Sequence, residues 1–164
     1  MTAYWWIVLA GTILLAAGIW AYFPVRAAME RVRLAEARRN FHRQRERLEA
    51  RFVQLGMSPS RPESARWTDC EFEDEVAYAR NRTTGELSAF VGVTIEMEDV
   101  GRHTGAGGDA VSNLRAATAV FRFDGKQWQT DGRAIFNLTP TEAIRHYHRD
   151  LELVAQESPG RSWS

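Results

Sequence analysis

Apolar positions follow a helical spacing over the first third of the chain and a spacing of two beyond residue 66. Residues 3–23 carry no charged side chain. A helix of about 20 residues rising 1.5 Å each spans the ~30 Å hydrocarbon layer of a bilayer, so this stretch predicts a single-pass transmembrane helix. Tyr4, Trp5 and Trp6 stand at one end and Trp20 and Tyr22 at the other, where amphipathic rings favour the headgroup region. A cleaved signal peptide would open on a basic segment and close on small residues. This stretch does neither, which predicts an uncleaved anchor. Pro24 marks an expected kink or restart.

Residues 25–55 contain one further helical pattern without glycine or proline. Leu34, Phe41, Leu48 and Leu55 recur every seven residues. The companion positions Ala37, Gln44 and Arg51 fill only part of a second seam, so the stripe is half of a coiled coil. Such a narrow stripe is expected to dock on a sheet or to pair with its copy in a homodimer. Gly56, with Pro59 just beyond, supplies a stop. Residues 56–65 read as a polar, proline-containing linker.

Beyond the linker the alternation predicts strands. Phe72, Val76 and Tyr78 outline the first. Residues 81–85 form a turn. In the next strand Leu87, Ala89, Val91, Val93, Ile95 and Met97 face one way and mostly polar residues the other, with Phe90 the exception. One buried and one wet face is the antiparallel pattern. A third strand is expected over residues 114–123. Asp124 and Gly125 then signal a two-residue hairpin, which would pair Phe121 with Trp128 and Ala117 with Gly132. The resulting core face has bulky ends and a trough of Ala117, Ala119 and Gly132, which predicts a closely crossing helix. Thr139, Pro140 and Glu142 spell a capped helix start. Ile144, Tyr147, Leu151 and Val154 predict that this helix continues to the end of the domain.

The fold class is thus α+β: a transmembrane helix (3–23), a juxtamembrane basic helix (25–55), and a soluble domain (66–156). That domain holds a four-stranded antiparallel meander and a C-terminal helix, and a flexible tail (157–164) follows. A long helix before a curved antiparallel sheet resembles the cystatin-like or NTF2-like layout.

Charge changes this picture more than composition does. The 164 residues are neutral overall, with 21 basic and 21 acidic side chains. Yet residues 26–51 hold nine arginines against four acids, and residues 52–164 hold twelve basic against seventeen acidic. Basic residues cluster after the span and not before it, so the positive-inside rule predicts a cytoplasmic C-terminal domain at the plasma or inner membrane. Arg39, Arg43, Arg47 and Arg51, spaced four apart, form a stripe suited to anionic lipid. Nucleic acid is not expected as a partner, because the domain behind the stripe is acidic and no base-reading motif is present.

Candidate chemistry is sparse. Cys70 stands among Asp69, Glu71 and Glu73, whose charge opposes a thiolate. His146 and His148 are two apart and point to different sides of a helix, whereas a zinc pair needs a spacing of four. The glycine-rich residues 101–113 lack the lysine of a phosphate loop. Asp131 and Arg133 share the non-core side of the fourth strand, either as a patch for a partner or as an internal ion pair. The acidic run Glu71, Glu73, Asp74 and Glu75 is expected to be solvated or to meet the helix arginines. No nucleophile, base and acid form a set, so neither catalytic residues, metal nor cofactor is expected and the protein is read as a non-enzyme. The expectation is a membrane-anchored protein whose cytoplasmic domain binds or scaffolds a protein partner. A small-molecule pocket between sheet and helices, with or without weak enzyme activity, is the alternative.

Overall fold

The computed structural model describes residues 4–58, 66–98 and 112–158. Residues 59–65 of the expected linker, 101–111 of the glycine-rich loop and most of the tail lie outside the described residues. So do the side chains of residues 6–8, 16–19, 21, 23, 24, 27, 66, 98, 112 and 113. Among the described residues, two helices and six strands follow in the order α1 (Tyr4–Gly56), β1 (Arg66–Asn81), β2 (Leu87–Glu98), β3 (Ser112–Phe123), β4 (Trp128–Gln129), β5 (Ala134–Phe136), α2 (Pro140–His146) and β6 (Leu151–Glu157). The α+β class is as expected. The chain divides into two compact units, Met1–His42 and Arg43–Ser164.

In the first unit the helix exposes large apolar side chains. Trp20 is 85% exposed, Trp5 77% and Leu14 72%. Ile13, Leu15, Val25 and Met29 are exposed too. Among the described residues, no helix is long and apolar enough to cross a membrane. The transmembrane helix expected at residues 3–23 therefore has no support there.

The second unit is built on one antiparallel sheet in the order β4-β3-β2-β1-β6, with β5 pairing β3 beyond β4. Strand β2 lies at the centre and pairs β3 without interruption from Leu87↔Phe123 to Glu98↔Ser112. Its predicted inward set, Leu87, Ala89, Val91, Val93, Ile95 and Met97, is buried throughout. The C-terminal part of α1 covers this face. Phe52 is fully buried. Its ring centroid lies 5.4 Å from Trp67, 5.7 Å from Phe72 and 6.0 Å from Phe121. The expected stop is met, since α1 ends at Gly56. A Cβ on Gly56 would overlap the Trp67 ring, and one on Gly132 would come 2.7 Å from Leu55 Cβ. The close crossing expected over the small-residue trough thus occurs at Gly132, where φ is +72°. It places Leu55 of the apolar stripe against the sheet.

Three expectations need correction. The first concerns the hairpin after β3. The Asp124 carboxylate accepts hydrogen bonds from the Lys126 and Gln127 N–H groups, both at 2.8 Å. Those amides hold its carboxyl below the usual range. Four residues therefore turn the chain instead of two, and Phe123 meets Trp128. Trp128 packs 5.1 Å from Phe123 and 6.2 Å from Tyr78. The fourth strand is also split. The Thr130 hydroxyl donates to the Val120 carbonyl at 3.2 Å, and Ala134 re-enters opposite Ala119.

The second correction concerns the C-terminal helix. It ends at His146, with Tyr147 as its C-cap. The Leu151 N–H donates to the Tyr147 carbonyl at 2.9 Å, and the chain turns into β6. Residues 151–157 pair with Val76, Ala77, Tyr78, Ala79, Arg80 and Asn81 of β1. Leu151 and Val154 fit both a helical spacing and an extended one, and the free edge of a buried strand decides between them. The sheet thus has six strands, not four.

The third correction concerns the outer sheet face, which is not simply wet. Phe90, Val120, Ala77 and Ala79 form a second core there with Ala143 and Ile144 of α2. Thr118 is fully buried and donates to the Leu138 carbonyl at 2.6 Å.

Gly132→Ala and Gly56→Ala should each lower unfolding free energy by about 1–3 kcal/mol, through overpacking and, at Gly132, an unfavourable φ. Chemical denaturation with the m-value monitored checks this. The predicted capping box of α2 is complete: the Thr139 hydroxyl accepts from Glu142 N–H at 3.4 Å and the Glu142 carboxylate accepts from Thr139 N–H at 3.0 Å. Thr139→Ala should cost about 1 kcal/mol. The Thr139 N–H, then its hydroxyl, hold the Glu142 carboxyl below its ordinary range. A depressed carboxylate contributes stability above its unfolded pKa and loses it as pH falls through the folded value. Glu142→Gln should accordingly flatten the acid limb of a pH–stability curve without shifting the alkaline limb.

Candidate functional site

The second core leaves an open cavity of about 390 Å³ beside α2. Its floor is apolar, formed by Phe90 of β2, Val120 of β3, Ile135 of β5 and Leu151 of β6. Arg122, Arg133, Glu86 and Asp150 supply charge around this floor, and Tyr147, Ser88 and Asn81 complete the lining. The alternation of β2 and β3 places Glu86, Ser88 and Phe90 on the same face as Val120 and Arg122. The fold-back at residues 130–133 adds Arg133, whose carbonyl accepts from Val120 N–H at 3.1 Å. The turn after α2 brings Tyr147 and Asp150 over the end of β1, where the Asp150 carbonyl accepts from Arg82 N–H at 2.8 Å.

The charges around this cavity are largely uncommitted. Among the described residues, the side chains of Glu86, Asp150 and Arg133 make no hydrogen bond or ion pair. Arg122 reaches Asp131 at 3.7 Å. The Asp131, Arg133 pair expected on one strand face is therefore separated. Asp131 turns to Arg122 and caps the Arg133 N–H at 3.1 Å, while Arg133 lines the cavity.

The predicted arginine stripe is exposed at Arg39, Arg43, Arg47 and Arg51. Arg47 and Arg51 line a groove of about 480 Å³ with Gln44, Gln54, Trp128 and Gln129. The stripe omits Arg45, which engages the sheet. Arg45 Nε donates to Glu49 at 2.7 Å, and its terminal nitrogens reach the Glu73 carbonyl, the Asp74 carbonyl at 3.5 Å and the Asp74 carboxylate at 3.8 Å. These acceptors sit in a bulge of β1, where Phe72 pairs Val93 but Val76 pairs Val91. Residues 73–75 thus oppose Gly92 alone, and a Cβ on Gly92 would overlap the Glu73 carboxylate. The acidic run does meet a helix arginine, but through the bulge geometry. Glu75 instead accepts from the Gln156 amide at 2.6 Å.

Among the described residues, the other candidates stand apart from this cavity. Burial first, and then Asp69, push the Cys70 thiol up to about 11, which opposes nucleophilic chemistry. His146 rests edge-on to Tyr147 at 4.9 Å, and His148 faces the Arg145 carbonyl at 3.1 Å. Among the described residues no group of three or more His, Cys, Asp and Glu could hold a metal. His103 lies outside the described residues. The sequence offered a pocket between sheet and helices as an alternative without placing its lining, although Phe90 on an otherwise polar strand face was its signal: an apolar ring there needs cover.

Comparison with known protein families, curated proteins and solved structures returns no match. The cystatin-like or NTF2-like layout therefore carries no residue roles to this chain.

Arg45→Met should destabilise the unit by about 1–3 kcal/mol, because charge-assisted bonds to the Glu73 and Asp74 backbone are lost. Arg47→Met on the exposed stripe should stay within about 0.5 kcal/mol of the parent. Paired denaturation curves at constant salt test the contrast.

Proposed function

We propose that this chain is a single-pass membrane-anchored protein whose α+β domain lies in the cytoplasm and binds a protein partner near the bilayer. The observation that carries the anchor is the row of exposed apolar side chains in the first unit, Trp5, Ile13, Leu14, Leu15 and Trp20 among them. An uncharged stretch with so much exposed apolar surface is stabilised by lipid and destabilised by water. The arginines that follow support the cytoplasmic orientation, and Arg39, Arg43, Arg47 and Arg51 supply contacts to anionic headgroups. What supports protein binding is β6. It is the last strand of the sheet path, and Leu153 on it is 43% exposed. An edge strand of this kind accepts an added strand from a partner, which includes a second copy of the chain. The cavity beside α2 favours a second reading, a small-molecule binding domain at the membrane.

The protein should remain in the membrane fraction after alkaline extraction. Leu14→Arg with Leu15→Arg should release it, since each charge at mid-span costs about 2.5–3.5 kcal/mol. Protease added to intact cells should spare the domain. Leu153→Lys should abolish partner co-purification while changing stability by less than about 0.5 kcal/mol. Extraction of the parent protein into the aqueous wash would overturn the anchor. Retention of every partner by Leu153→Lys would overturn the role of β6.

A further inference from the structure

We infer that the cavity beside α2 binds a small zwitterion with an apolar body, of the size and chemistry of a dipeptide. This rests on the small-molecule reading of the domain and names the ligand class.

Three features of the cavity converge on that chemistry. Its volume of about 390 Å³ lies within the usual range for small-ligand sites. Its floor of Phe90, Val120, Ile135 and Leu151 accepts apolar groups. Its charges change sign along the sheet order, from Arg133 and Arg122 at β5 and β3 to Glu86 and Asp150 at the starts of β2 and β6. Arg133 belongs to the segment leading into β5, which lies beyond β3, whereas Glu86 immediately precedes β2 and Asp150 precedes β6.

Strands stand about 4.8 Å apart, so Arg133 and the acidic side are separated by two to four strand spacings, or about 10–19 Å between backbones. Their side chains extend into that gap. Backbones that far apart, with the gap bridged in part by the side chains, suit the two ends of a dipeptide better than the adjacent charges of a single amino acid. Within the protein the Arg133 guanidinium and the Glu86 and Asp150 carboxylates have no partner among the described residues. A ligand carboxylate would meet the Arg133 fork, and a ligand ammonium would meet the two carboxylates. Tyr147, half-buried at the rim, offers a ring to an apolar side chain. A singly charged ligand would leave one of these sides unmatched.

Calorimetric titration of the full chain in detergent micelles with the dipeptide Ala-Phe tests this. Saturable binding is expected. N-acetylation or C-amidation of Ala-Phe should each weaken it about tenfold or more, the value of one charge-assisted bond. Arg133→Gln should bind Ala-Phe and its amide equally, and Glu86→Gln with Asp150→Asn should bind Ala-Phe and its N-acetyl form equally. These residues are exposed, and an unchanged melting temperature verifies that each variant is folded. If the doubly capped dipeptide binds the parent protein as well as Ala-Phe does, the zwitterion proposal falls and the small-molecule reading stands. If neither binds, both fall for this cavity. Because the capping comparison uses the parent protein, it holds even where a variant fails to fold.

Discussion

The globular unit depends on one aromatic contact, the insertion of Phe52 between the rings of two strands that are not adjacent in the sheet. Phe52 meets Trp67 and Phe72 on β1 and Phe121 on β3, so a single side chain ties the helix to both sides of β2. Ring pairs at these distances add to the area they bury. The geometry requires α1 to lie close to the sheet, and two glycines permit it. Gly56 leaves room for the Trp67 ring and Gly132 leaves room for Leu55. Larger residues at either place would lift the helix and open the face on which Val91, Val93 and Ile95 are buried.

Covering one face of β1 and β2 so fully has a consequence for the other. Ala77 and Ala79 are buried beside Val76 and Tyr78, so β1 faces apolar surroundings on both sides. A helix of seven residues covers part of the second face. Being short, it leaves the cavity at its C-terminal end. The chain then turns through residues 147–150 and supplies β6 to the edge of β1. The same turn that ends α2 brings Tyr147 and Asp150 to the rim, so the cavity and the sixth strand have one structural origin.

Arginine plays three roles that charge counting cannot separate. Arg45 anchors a bulge of β1 through backbone carbonyls. Arg122 is held by Asp131. Arg133 lines the cavity. A helix residue two positions from an exposed one points to a different side, which is why the four-residue stripe was legible and Arg45 was not. The bulge itself depends on Gly92, whose missing side chain makes space for Glu73.

The sequence by itself determined the elements whose signals are local. The alternation of β2, the end of α1 at Gly56, and the capping box at Thr139 and Glu142 each depend on a few neighbouring residues. The small-residue trough also announced a close helix, because its side chains alone could not fill a core. Tertiary structure decided the rest. Residues 151–157 satisfied two periodicities at once, and only the open edge of β1 selected the strand. The Asp124 turn shifted the pairing of Trp128 because its carboxylate captured two amides, a preference that the Asp-Gly signal does not encode. The cavity required residues from five separate segments, whose meeting depends on sheet order, and sheet order is set by long-range pairing, not by any local pattern.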